Sequence, residues 1–417
     1  MAQGPPCGVV GVGGQGEHGR IKSMADGWSE PGGAWKRTAA LRARRGGRPL
    51  RLSDEGLLAL AAHKYSPGVS TPLDGLLYAL WWEPLTKRLP LWLAPNVVTL
   101  AGAAACVASG LLLLACSPDL SAETPAWAEL LACFLVLFYQ TCDAVDGLQA
   151  RRTGASSSLG ELLDHGCDCV CLTAGTVGYC ASQQSGLGFG CFSALVVSWL
   201  PWWLAQWEAY HTGVLRTGGA YFGVTEIEFV VASIHLLSGL LGPGIWRWEI
   251  AALGDMELRH FCAGIQAVVA TALSAQCVVN VLAASDPKAA PAALWRAAPM
   301  LTLGILAGLW PLSLPGLHPR AVAVAASALW TRSATELVLC HMTHEEYPSR
   351  QHFLLLLPAL YIAGLLGLLD GWAGALLLAA YAACCAFDAG SYAIDVVEEV
   401  ATHLDVSVLR VGPRRAE

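Results

Sequence analysis

Charge is what this sequence has least of. Of its 417 residues, 14% are Asp, Glu, Lys or Arg, where a soluble domain carries about 25%. Hydrophobic residues make up 55% and the mean hydropathy is +0.49. In water a chain this apolar would need an improbably large dry core, whereas lipid lets apolar side chains face outward. A surplus of positive charge is also missing. The net charge of -7 argues against nucleic acid as a partner, since such binders are normally basic. The N-terminal region has no apolar h-region and is not read as a cleaved signal peptide. No C-x2-C pair with a second pair nearby accompanies Cys167, Cys169 and Cys171, so zinc is set aside. Disulfide scaffolds are short and secreted. Here Cys106, Cys133, Cys169, Cys171, Cys180 and Cys277 lie in apolar runs and read as small hydrophobes.

What is present is a succession of apolar segments. Residues 1–50 are rich in Gly, Pro and Arg and read as a disordered cytosolic arm. Residues 51–93 hold an amphipathic stretch, Leu52 to Tyr65, and then Trp81, Trp82 and Trp92 around Lys87 and Arg88. That composition predicts interfacial amphipathic helices on the membrane surface. About ten spans of near the ~20 residues a bilayer requires follow, at 97–116, 127–150, 159–181, 189–210, 224–242, 261–284, 297–316, 320–341, 353–369 and 371–395. The fold class is therefore an all-α polytopic integral membrane protein. Arg151 and Arg152 open one connection, while 117–126 has no Lys or Arg. The positive-inside rule then puts 151–158, the N-terminal arm and the tail at 399–417 in the cytosol, and makes the loop with Arg247 and Arg259 luminal.

Charged residues inside spans are expensive and need a reason. Asp143 and Asp146 are three apart, on one helical face. After a Ser/Gly turn, Gly160, Asp164 and Asp168 recur at intervals of four. Two antiparallel helices thus present two carboxylates each to one cleft. Four such charges at low dielectric demand cations, and hard oxygen ligands favour Mg2+ or Mn2+. Gly147, Ala150 and Gly160 allow close helix approach or leave room for a ligand. Arg151 stands where the cleft meets the cytosol, suited to a bidentate grip on phosphate, while Arg152 reads as an anchor.

Residues 143–168 fit D-x2-D-G-x2-A-R, eight residues, then G-x3-D-x3-D. This resembles the signature of the CDP-alcohol phosphotransferase family at every fixed position. Residues 93–100 (L-A-P-N-V-V-T-L), D-H-G-C-D, Q-W-E-A-Y-H-T-G, V-T-E-I-E, H-M-T at 341–343 and H-K-Y at 63–65 look like its eukaryotic choline and ethanolamine branch. The resemblance runs from about residue 50 to 410. It implies a pair of metal ions held by Asp143, Asp146, Asp164 and Asp168. It also implies a CDP-alcohol site lined by Asn96, Asp143, Gly147, Ala150 and Arg151. The implied core is 94–242, with residues 243–398 supplying further spans, an acceptor chamber and homodimer contacts. The implied reaction takes phosphocholine or phosphoethanolamine from CDP-choline or CDP-ethanolamine to diacylglycerol, in an endoplasmic reticulum or Golgi membrane.

Attack by the diacylglycerol hydroxyl needs a base. In the family Asp168 is the usual candidate, but a carboxylate bound to metal is a poor base. His165, beside the cluster, has a suitable unperturbed pKa, and Glu226, at the start of a span, is next in order. For a quaternary ammonium, Trp207 and Tyr210 offer aromatic faces, the alternative being interfacial anchors, and His341 reads equally as a polar member of the acceptor path or as a satisfied core histidine. A cation-coupled transporter would spread acidic residues over two similar halves. Here they are confined to one helical pair.

Overall fold

The computed structural model describes residues 36–38, 40–41, 51–63, 70–216, 218–219, 221–348 and 352–411. Near the N-terminus are α1 (Asp54–Ala62), α2 (Pro72–Leu77) and α3 (Glu83–Arg88), with a π-turn at Tyr78–Trp82 joining the last two. The bundle comprises α4 (Pro95–Cys116), α5 (Ala126–Thr153), α6 (Ser158–Ser182), α7 (Cys191–Thr212), α8 (Val224–Leu241) and α9 (Leu258–Ala284). The short α10 (Ala290–Trp295) leads into α11 (Ala298–Ser313), α12 (Pro319–Thr343), α13 (His352–Leu365) and α14 (Gly371–Leu404). Two-residue strands β1 (Glu249–Ile250) and β2 (Met256–Glu257) pair in the loop before α9.

Each of the ten segments expected to cross a bilayer contains a helix, although 297–316 and 353–369 are helical only in part. Six elements are long and apolar enough to do so: α4, α5, the stretch Gly186–Thr212 that contains α7, α8, α9 and α14. Helices α6 and α12 are long enough but carry Asp164, His165 and Asp168, and Arg332 and Glu336. α11 and α13 have only 16 and 14 residues. Helix α14 continues to Leu404, beyond the expected 395, and in that extension Glu399 accepts hydrogen bonds from the backbone N–H groups of Arg51 and Leu52 at 2.9 and 3.2 Å. Asp405, in the left-handed region, ends it.

Most of the expected N-terminal arm lies outside the described residues, but one part of it is not free. Arg37 donates to the carbonyls of Thr402 and His403 at 3.1 and 3.3 Å, capping the C-terminus of α14, where a cation is favoured. The 51–93 region divides in two. Leu57 and Leu60 of α1 pack with Leu159, Met342 and Val400, so protein covers that apolar face rather than lipid. Along α2 to α3 and the loop after it, Leu76, Leu80, Trp81, Leu91 and Trp92 are exposed. Gln149 and Arg152 tie this second stretch to α5. Gln149 donates to the carbonyls of Pro90 and Leu93 at 2.9 and 3.0 Å, and Arg152 to those of Thr86 and Leu89 at 2.9 and 2.6 Å.

Helix α4 packs along both α5 and α6, and glycines permit it. A Cβ at Gly102 would lie 2.6 Å from the Cys142 Cβ, and one at Gly110 would overlap the Ala174 carbonyl oxygen. Between α5 and α6 the chain reverses through Gly154, at φ 69°, and Ser157, whose side chain accepts from the Gly160 N–H at 3.2 Å. At the opposite end Arg247 donates to the Ser121 carbonyl and Arg259 to that of Gln184. The two arginines of the loop expected to be luminal are thus local ties. Every described cysteine is a free thiol.

Candidate metal centre

The face of α5 that carries Asp143 and that of α6 that carries Asp164 and Asp168 meet beneath the 154–157 turn. Ligand oxygens of Asp143, Asp164 and Asp168 all lie within 4.8 Å of one another. Asp146, one turn nearer the reversal, stands beside this trio, with one carboxylate oxygen accepting from the Thr99 hydroxyl of α4. Asp168 accepts from the Tyr139 hydroxyl at 2.8 Å. Asp164 Oδ1 is buried with no hydrogen-bond partner. A buried carboxylate oxygen without a donor is costly, and three converging carboxylates repel. A hard divalent cation relieves both, so the residues present fit the metal that the sequence implies.

The cleft wall follows from the same helices. Asn96 Oδ1 lies 3.4 Å from where a Gly160 Cβ would stand, so α4 and α6 approach closely there. The exposed Arg151 guanidinium turns back along α5, 3.5 Å from the Cβ position of Gly147, and its charge acts on Asp146. Gly147 and Ala150 are half-buried on the intervening surface.

His165 is 9% exposed and its Nδ1 is buried without a partner. Behind it stands a polar group from three elements. His63 Nε2, at the end of α1, is 3.0 Å from Glu161 Oε2, and the ring of His341 on α12 meets that of His63 edge-on, with centroids 6.0 Å apart. His341 thus joins His63, Glu161 and His165.

Glu226 and the aromatics are placed differently from expectation. Glu226 Oε2 accepts from the Gly223 N–H at 2.8 Å and so caps its own helix. Two residues on, Glu228 lies within electrostatic reach of Asp143 and Asp168. Glu226→Gln is expected to leave divalent-cation affinity unchanged and to lower stability by about 1 kcal/mol at most. Glu228→Gln should raise the half-saturating Mg2+ concentration several-fold, because an anion leaves the rim of a cation site. A Mg2+ titration of the two variants side by side checks this. Trp207 is fully buried and donates to the Ala293 carbonyl at 3.2 Å. The Tyr210 hydroxyl donates to the Glu345 carbonyl and accepts from the Tyr347 N–H, both at 3.3 Å. Trp207 offers no open face to a ligand, and the polar tip of Tyr210 fastens the 345–347 loop.

Thr99 and Glu228 lie within L-A-P-N-V-V-T-L and V-T-E-I-E, but neither they nor Tyr139 stood out as site residues. Tyr139 had a signal, four residues before Asp143 on the same face. Thr99 shares the face of Asn96, three residues away.

Residues 92–237 match the family described as CDP-alcohol phosphatidyltransferase. Among curated proteins, Cholinephosphotransferase 1 of Gallus gallus is 36% identical over 219 residues, 51% of this chain and 63% of that protein. Its namesake from Homo sapiens is 37% identical over 211 residues, 50% of each. Uncharacterized CDP-alcohol phosphatidyltransferase class-I family protein 3 of Dictyostelium discoideum is 28% identical over 325 residues, 71% of this chain and 81% of that protein. The chain therefore spans less than two thirds of the length of these two cholinephosphotransferases.

Proposed function

We propose that this chain, whose residues 92–237 belong to the CDP-alcohol phosphatidyltransferase family, transfers phosphocholine from CDP-choline to 1,2-diacylglycerol, with CDP-ethanolamine as a second donor. The products are phosphatidylcholine or phosphatidylethanolamine, and CMP. The observation that carries the reading is the convergence of Asp143, Asp164 and Asp168 within 4.8 Å around an unpartnered oxygen of Asp164. Similarity to vertebrate proteins named cholinephosphotransferase favours choline.

Asp143, Asp164 and Asp168, with Asp146 beside them, would hold two Mg2+ or Mn2+ ions. Such ions, when bound, neutralise a pyrophosphate and make CMP a better leaving group. The chain's own residues do the rest. Arg151 grips a phosphate of the nucleotide at the mouth, and Asn96, Gly147 and Ala150 line its path. The diacylglycerol oxygen bonds to the phosphorus that bears choline as the bond from that phosphorus to the CMP oxygen breaks. The hydroxyl proton passes to His165, whose free Nδ1 supports this assignment over Asp168 and over Glu226, which is engaged in its own cap. The remaining parts of the proposal are a homodimer in an endoplasmic reticulum or Golgi membrane, its cleft open to the cytosol.

The test is CMP release by purified protein given diacylglycerol and labelled CDP-choline or CDP-ethanolamine, with and without Mg2+. Release from neither donor would sink the reading. His165→Ala is expected to lower kcat by about 10²- to 10⁴-fold while Mn2+ binding persists. Full turnover of that variant across the pH range would move the base to Glu226 or Asp168.

A further inference from the structure

At the end of α5 and α6 away from the aspartates lies a second polar cluster, which the transfer chemistry leaves unused. Glu129 of α5, Ser182 of α6 and His235 of α8 are all fully buried. Glu129 Oε2 accepts from the Ser182 hydroxyl at 2.8 Å and from His235 Nδ1 at 3.0 Å, and Ser182 Oγ and His235 Nδ1 are 2.9 Å apart. The other oxygen of Glu129 accepts from the Thr124 hydroxyl. A carboxylate can only accept, so the contact with Glu129 places a proton on His235 Nδ1. Burying such a group among apolar helices is unfavourable, and close packing would be served as well by apolar side chains.

Spacing supplies the reason. Glu129 precedes Asp143 by fourteen residues, and Ser182 follows Asp168 by fourteen. Fourteen residues rise about 21 Å and fall about 40° short of four full turns, so the polar and acidic residues share one face of each helix. In an antiparallel pair, Glu129–Ser182 and Asp143–Asp168 are then two rungs of one ladder. Helix α4 packs along both helices, whereas α5 and α6 touch each other little, so a polar bond made directly between them bears on their relative height. On α8, His235 follows Glu228 by seven residues, two turns along one face, which brings the third helix into the same frame.

We propose that the Glu129–Ser182–His235 cluster is a positioning device that fixes the axial register of α5 against α6. Through it the cluster sets the separation of Asp143 from Asp164 and Asp168. The proposal rests on the reading of those aspartates as the metal centre, and Mn2+ binding, followed by electron paramagnetic resonance, tests it without substrate. Ser182→Ala removes one hydroxyl and Ser182→Thr keeps it. Both are compared with wild-type protein after monodisperse elution in detergent. Ser182→Ala is expected to raise the Mn2+ dissociation constant about tenfold, within the range by which a side chain remote from a ligand site tunes it, and Ser182→Thr to restore it. In the CMP assay kcat should fall by about 10- to 100-fold, as for a misplacement near 1 Å, with KM for CDP-choline little changed.

Wild-type Mn2+ affinity in Ser182→Ala overturns the proposal. Equal impairment in the Ala and Thr variants also overturns it, because packing rather than the hydroxyl would then be responsible. If Ser182→Ala does not elute as a folded protein, Glu129→Gln gives the reading in its place, with wild-type affinity again overturning the proposal. Wild-type protein that binds Mn2+ but releases no CMP would refute the transfer reaction alone.

Discussion

Asp164→Ala is expected to lower CMP release by about three orders of magnitude and to remove tight Mn2+ binding. Metal stabilisation of charge in a phosphoryl-transfer transition state is worth several kcal/mol, and each 1.36 kcal/mol is tenfold in rate. Asp164 is the ligand to choose because its Oδ1 is buried with no hydrogen-bond partner in the protein. Asp168 has the Tyr139 hydroxyl and Asp146 has that of Thr99. Fold stability should move the other way. Replacing one of three converging carboxylates relieves repulsion, so in metal-free detergent solution the variant should melt at or above the wild-type temperature. A variant that kept turnover would remove the metal centre from the mechanism. Loss of turnover together with a collapse in stability would mean that Asp164 is structural.

Gly110→Val should be strongly damaging although it lies away from the carboxylates. Even the first carbon added there would overlap the Ala174 carbonyl oxygen, which belongs to the backbone of α6 and cannot rotate away. Overpacking typically costs about 1–3 kcal/mol, and a branched side chain against backbone should lie at the top of that range. Helix α4 is also the spacer between the two aspartate helices, so activity should fall further than stability alone requires. Gly175→Ala, on α6 itself, is the control. Nothing lies within 4 Å of its Cβ position, and an alanine in a helix interior should gain about 0.5–1 kcal/mol. Thermal melting in detergent and CMP release, measured on both variants, check the contrast.

Much of this architecture could be read from the chain alone because lipid simplifies the code. Apolar length marked the ten long segments of the bundle, and the three- and four-residue spacings of Asp143, Asp146, Asp164 and Asp168 put them on facing stripes. Contacts made only across helices were hidden. The turn of Glu226 back to the Gly223 N–H is a local cap, but nothing in V-T-E-I-E brings Glu228 within electrostatic reach of Asp143. Trp207 looked like an open aromatic face until Ala293, far along the chain, covered its indole nitrogen. Arg37 sits in a Gly- and Arg-rich stretch with no periodicity, yet it finds the end of α14 because the last carbonyls of a helix need donors. Glu129, Ser182 and His235 come from three separated segments, and only the bundle reveals them as one group.

The clamp by which Gln149 and Arg152 hold residues 86–93 makes α5 a plumb line. The exposed row Leu76, Leu80, Trp81, Leu91 and Trp92 has the composition of a float at a lipid boundary. Asp143 hangs nine residues below Arg152, about 13.5 Å at the helical rise. Whatever depth the float takes, the carboxylates follow at a fixed draught beneath it. A thinner or thicker bilayer would then shift the far ends of the bundle against the lipid and leave the level of the chemistry unchanged.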